Sequence, residues 1–239
     1  SSPRVQGRFI LRTANWCHKR KEGSMVFEDR HDAGRRLAWL LEGYRQEQPV
    51  VLGLPRGGVL VAYEVARALG APLDVLVVRK IGVPGAEEFA MGATAGGITM
   101  VDADLVGRLR IPPAVVDAIV RRETAELHRR EALYRGARPP VDVRGRTVIV
   151  VDDGLATGAT AQAAVRALRA LAPRRIVFAA PVCSREGVEE LRAVADVVEC
   201  LECPADLWAV GFWYRDFTAT TDAEVVRCLR PVDEQRVPA

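Results

Sequence analysis

Short apolar runs alternate with segments of helical periodicity along most of this 239-residue chain. The runs are Val50-Val51-Leu52-Gly53-Leu54, Leu73 to Val78, Ile98 to Val101, Thr147 to Val151, Ile176 to Ala180 and Ala195 to Leu201. Each is of strand length, and the run at 147–151 is apolar without alternation, as a strand covered on both faces requires. Between them, Leu37, Leu40 and Leu41 share a helix face behind Asp32 as N-cap, with Trp39 expected in the core. Ala62, Val65, Ala66 and Leu69 form a second face on a helix starting near Val59. Ala161, Ala164, Val165, Leu168, Leu171 and Ala172 form a third, stopped by Pro173. A long charged helix runs from Pro112-Pro113 to near Gly136, and Ser184 caps another over 185–194. Strands alternating with helices predict an α/β fold with a mainly parallel central sheet flanked by helices.

Two strand–loop–helix units carry the chemistry. After the strand at 147–151 come Asp152, Asp153, Gly154, Leu155, Ala156, Thr157, Gly158, Ala159 and Thr160. Amides at a helix N-terminus bind an anion such as phosphate, and Gly158 lets the backbone approach it. Thr157 and Thr160 add hydroxyl donors. Two carboxylates upstream would repel a phosphate, so they suit sugar hydroxyls or a Mg2+ ion. A phosphate beside a diol is a ribose phosphate. A Walker B strand is the competing reading, but no G-x-x-x-x-G-K-[ST] partner occurs in the chain. A plain turn with a Thr cap is the other. In the second unit, Pro55-Arg56-Gly57-Gly58 follows the strand at 50–54, offering amides and a guanidinium to an anion.

Val150 to Thr160 resembles the phosphoribosyl-pyrophosphate (PRPP) motif of the type I phosphoribosyltransferases, and the resemblance covers most of residues 50–217. It implies a pentosyltransferase that moves a phosphoribosyl group from PRPP to a small nitrogenous acceptor, with Mg2+ as cofactor. Asp152 and Asp153 would address the ribose hydroxyls, directly or through Mg2+, and Gly154 and Ala156 to Thr160 would hold the 5'-phosphate. Arg56, Gly57 and Gly58 would meet the pyrophosphate. Arg79 and Lys80, at the end of the strand from Leu73, would reach it too. Residues 81–97, rich in glycine, suit a mobile lid, with Glu87 and Glu88 as candidate bases. A small C-terminal hood, about 203–220, would stack the acceptor on Trp208, Phe212 or Trp213, with Asp216 at its edge. The purine-specific acid that precedes Thr-Gly in some members is Ala156 here, which speaks against a 6-oxopurine acceptor. A regulator that binds PRPP without catalysis is the alternative.

Charge and cysteines narrow the class. The formal net charge is +3, but residues 1–24 hold six basic residues and one acid, so the remainder carries 28 basic against 30 acidic residues, a net of −2. A near-neutral body gives no support to nucleic-acid binding. Residues 1–24 read as a tag or flexible extension before a single domain over 25–239, without the apolar core of a secretion signal. No run is long enough to suggest a membrane span. The cysteines, Cys17, Cys183, Cys200, Cys203 and Cys228, are irregularly spaced, which suits a reducing cytoplasm better than a disulfide framework. The Cys200–Cys203 spacing fits a redox or zinc role, but no second pair completes a zinc site, and two small apolar residues near a strand end is the favoured reading. The helix at 112–136 is where a homodimer contact would form, although its Arg and Glu residues read first as a solvated face.

Overall fold

The structure is a computed structural model and describes residues 27–230, so the expected extension at 1–24 lies outside the described residues. Five strands form an all-parallel sheet: β1 (Val50–Gly53), β2 (Leu73–Val75), β6 (Thr147–Val151), β7 (Arg175–Val182) and β8 (Val197–Glu202), in the order β2-β1-β6-β7-β8. A second sheet of three antiparallel strands comprises β3 (Val78–Val83), β4 (Ala86–Ala95) and β5 (Ile98–Val101). The expected α/β architecture is therefore present, with the antiparallel unit added at its side.

Strand alternation builds two cores. Leu52, Val148, Val150, Ile176 and Phe178 point to one face and pack on α5 (Ala159–Arg169) and α6 (Arg185–Arg192). Val51, Ile149, Val151, Val177 and Ala179 point to the other and pack on α1 (Arg30–Leu41) and α2 (Gly57–Leu69). Full burial of each such aliphatic side chain contributes about 1.5–3 kcal/mol. A third cluster joins α2 and β2 to α4 (Pro113–Arg135) and α7 (Asp222–Leu229) through Leu60, Val75, Leu127, Tyr134 and Val225. The antiparallel unit packs Ile81, Val83 and Met91 against α4 and a short helix the sequence pattern did not suggest, α3 (Ala103–Arg108).

Residues 81–97, expected as a lid, lie mostly in the β3–β4 hairpin and its turn at Pro84-Gly85, with the hairpin end exposed. Other expectations are corrected. The strand from Leu73 ends at Val75, and Arg79 and Lys80 lie inside β3 of the second sheet. Asp29, not Asp32, caps α1, its side chain accepting from the Asp32 amide at 2.7 Å. Trp39 is 86% exposed rather than core, because α1 packs through Leu37, Ala38 and Leu41. The helix after the central motif begins at Ala159, two residues early. Ser184 caps α6 as expected.

The long helix is anchored by a buried pair. Arg135 Nε donates to both oxygens of Asp74 at 2.8 and 3.0 Å, and the side chains are only 11% and 8% exposed. Asp74 also accepts from the amides of Val75 and Val141. Removing one partner strands a charge in low dielectric. Asp74→Ala is therefore expected to cost about 3 kcal/mol or more in urea unfolding; a loss under about 1 kcal/mol would refute this role.

Candidate functional site

The two glycine-containing loops emerge side by side. β1 and β6 pair in parallel with Gly53 opposite Val151, so both strands end at one edge of the sheet. From β1 the chain passes outward to β2, and from β6 it passes the opposite way to β7. Such a reversal opens a crevice at the strands' carboxyl ends, where open α/β sheets bind ligands.

Contact between the loops is close enough to exclude side chains. A Cβ on Gly58 would lie 2.7 Å from the Val151 carbonyl oxygen and 2.8 Å from the Asp152 Cα. A Cβ on Gly57 would lie 1.9 Å from Asp153 Oδ2. Arg56 precedes them across a cis peptide from Pro55. Its guanidinium is exposed and makes no hydrogen bond or ion pair among the described residues.

The motif loop is pinned from beneath. Leu155 N donates to Val182 O at 2.8 Å, Ser184 N donates to Leu155 O at 2.8 Å, and the Ser184 hydroxyl donates to the Ala156 carbonyl. Gly158, at φ 75°, is the N-cap of α5 and sits in the left-handed region that favours glycine. Ala156, Thr157, Ala159 and Thr160 are exposed around the start of α5. At a helix start of this kind, unpaired amides and the helix dipole favour an anion.

The two acids have different surroundings. Asp152 Oδ1 accepts from the Asp153 amide at 2.8 Å. Burial, and then the Asp153 charge beside it, push the Asp152 carboxyl well above its ordinary value. Asp153 Oδ2 is bound by Arg30 Nε at 2.7 Å, and the Tyr214 hydroxyl donates to the Asp153 carbonyl at 2.6 Å. Arg30 escaped the sequence reading, for it reaches the motif from 123 residues away and carries no local pattern, whereas Tyr214 and Phe217 belong to the aromatic stretch of the expected hood. Among the described residues no group of three or more His, Cys, Asp or Glu side chains is placed to hold a metal. Of the two acids expected to address the ribose hydroxyls directly or through Mg2+, Asp153 is already bound by Arg30.

The remaining expected residues divide. Arg79 is turned onto α4, its Nε and Nη2 at 2.9 and 2.6 Å from Glu123 Oε2. Burial alone would raise the Glu123 carboxyl, but its bonds from Arg79 and Arg122 leave it lowered. Lys80 lies 3.5 Å from Glu88, which is fully exposed, and Glu87 is exposed near the hairpin end, its Oε1 accepting from the Gly85 amide at 3.3 Å. Trp208 and Phe212 are 90% and 72% exposed, and Trp213 is half-buried. The hood is held over the motif, for Val210 fills the space where a Gly154 Cβ would be. Phe27 N donates to Trp213 O and Arg215 N to Phe27 O, stitching the hood to the start of α1. Asp216 accepts from the amide and hydroxyl of Thr218 at 2.9 and 2.6 Å, which lower its carboxyl and commit it to a local turn. Cys183 and Cys228 are buried free thiols, Cys200 is half-buried and Cys203 exposed.

With this geometry in view, the comparisons give the class. The family model of the phosphoribosyl transferase domain matches residues 28–216, and the chain belongs to that family. A Mycobacterium tuberculosis protein, Rv0571c, provisionally named a phosphoribosyl transferase, is 47% identical over 205 residues, which is 85% of this chain and 46% of that protein. The chain thus spans about half the length of that relative. The crystal structure of TT1426 from Thermus thermophilus superposes with a TM-score of 0.77 at 45% identity, covering 86% of this chain and 98% of that one. A uracil phosphoribosyltransferase of Staphylococcus saprophyticus is 29% identical over 154 residues, covering 59% of this chain and 68% of the relative. No helix among the described residues is long and apolar enough to cross a membrane.

The Asp152 environment gives a signed expectation. A carboxyl raised on folding is held protonated in the folded chain while the unfolded chain ionises near 3.8, so unfolding releases a proton. The contribution of Asp152 to stability is then fullest below pH 3.8 and is lost as pH rises toward the raised value. Asp152→Asn is expected to raise the unfolding midpoint at pH 8 by about 2–4 °C, the scale of 1 kcal/mol in a chain of this size. The gain should shrink on acidification toward pH 4; a variant less stable than the parent at pH 8 would contradict it.

Proposed function

We propose that the chain transfers the 5-phosphoribosyl group of PRPP to a nitrogen acceptor and releases pyrophosphate. The observation that carries this reading is the juxtaposition of two glycine-containing loops at the ends of β1 and β6, with a carboxylate pair between them. A ligand spanning the crevice needs an anion at each end and hydroxyls in the middle. In this reading the amides at 156–160 hold the 5'-phosphate and Asp152 and Asp153 face the ribose hydroxyls. Arg56 and the amides of Gly57 and Gly58 meet the diphosphate.

The C1–O bond breaks with its electron pair leaving on the diphosphate, the acceptor nitrogen's lone pair forms the C1–N bond, and the nitrogen sheds its proton. Positive charge develops on the sugar, so placement of carboxylates and exclusion of water carry the catalysis. A divalent cation enters this proposal only as a counter-ion of the ligand's own phosphates. Trp208, Phe212 and Trp213 supply flat apolar surface for a ring acceptor. Glu87 and Glu88, near the exposed end of the hairpin, act if that end folds over the sugar. The absence of an acid at Ala156 and the relative named for uracil together favour a pyrimidine or other ring without the 6-oxopurine edge.

One observation favours the second reading, a regulator that binds PRPP without transfer. Arg79 is committed to Glu123 and Lys80 to Glu88, so two cations expected on the leaving group are engaged elsewhere. One assay separates the readings. PRPP, Mg2+ and a panel of pyrimidines, purines and simple amines are supplied while pyrophosphate release is followed. Transfer predicts release dependent on one acceptor and lowered at least tenfold in Asp152→Asn/Asp153→Asn. PRPP binding without release across the panel would instead establish the regulator.

A further inference from the structure

We propose that Arg30 is a positioning residue for the sugar end of the ligand, fixing the Asp153 carboxylate for a diol and keeping a free cation off the acid pair. The inference rests on the ribose-phosphate reading of the site and concerns a residue to which that reading gives no role. Arg30 is the first residue of α1, and its side chain is 9% exposed. Three contacts hold its guanidinium. Nε donates to Asp153 Oδ2 at 2.7 Å, Nη1 donates to the Thr218 carbonyl at 2.8 Å, and the group lies 3.9 Å over the Phe217 ring. A planar fork that bonds and stacks at once is a task for arginine, not lysine.

The phosphate-facing loop closes the arrangement, since a Cβ on Gly57 would lie 2.7 Å from Arg30 Nε. α1, the β1 loop, the motif and the hood therefore converge on one ion pair.

The consequences are chemical. Two adjacent carboxylates repel, and a diol needs an ionised, oriented acceptor. Arg30 offsets the Asp153 charge through Oδ2, while the carboxylate also shares a hydrogen bond with the neighbouring Asp152 carboxyl. Held from both sides, it keeps one orientation in which its remaining lone pairs can accept from a sugar hydroxyl. The same guanidinium bonds Asp153 and acts by its charge on Asp152, so a free cation has less to gain at the pair.

The test uses the whole chain and PRPP with Mg2+ as probe, read by calorimetry, with thermal unfolding to confirm the fold. Arg30→Met is expected to weaken PRPP binding by about tenfold or more, the scale of a displaced positioning contact. Arg30→Lys should recover part of the loss by restoring charge without the fork. A second readout is Mn2+ binding without PRPP, followed by its magnetic resonance signal: absent in the parent, gained in Arg30→Met. Folded variants with unchanged PRPP affinity would overturn the positioning role and leave a purely structural ion pair. If Arg30→Met does not fold, Arg30→Lys decides alone, unchanged affinity overturning the proposal. Mn2+ binding to the parent, or none to Arg30→Met, would overturn the cation-excluding half. A parent that binds no PRPP would defeat the ribose-phosphate reading itself, an outcome distinct from all of these.

Discussion

The parallel pairing of β1 with β6 is the constraint on which the rest of the molecule depends. Register places Gly53 beside Val151, so two strands separated by nearly a hundred residues deliver their loops to the same few ångströms of sheet edge. A Cβ on Gly58 would meet the motif backbone, and one on Gly57 would meet the side chains of Asp153 and Arg30. The glycines are therefore required by packing as well as by any ligand. The start of α5 is exposed beside them, and the first amides of a helix have no partner within it.

Placing two carboxylates in such an edge is costly, and the structure offsets the cost unevenly. Asp152 loses water without gaining a cation of its own, and its proton is held more tightly. Asp153 is tied to Arg30, which is in turn stacked on Phe217 and bonded to Thr218. One ion pair thereby couples the hood to the motif, so the surface expected to meet an acceptor cannot shift without disturbing the acid proposed to face the sugar. Arg79 follows the opposite logic. Its charge is spent on Glu123 of the long helix, fastening the antiparallel unit to the body rather than facing the crevice.

Much of the fold was legible because the signals are local. Apolar-rich runs marked all five strands of the parallel sheet, and glycines after two of them marked the loops. Asp152 and Asp153 stood out because carboxylates at the end of a buried strand need a reason. Misreadings arose where a side chain's fate is decided by distant partners. Arg30 has no neighbourly signature; it matters because Asp153 and Thr218 arrive beside it. The hairpin was obscured by glycine and proline, although Met91, Ala93 and Ala95 recur at every second position and are buried. Trp39 looked like core by residue type, but the apolar face of α1 was already complete without it.

The central claim, that the paired loops hold the two anionic ends of PRPP, is tested most directly by amide hydrogen exchange with and without PRPP and Mg2+. The account predicts slowed exchange at Gly57 and Gly58 and across 156–160 together, since one ligand bridges both loops. Exchange unchanged at both loops while PRPP is bound would contradict it.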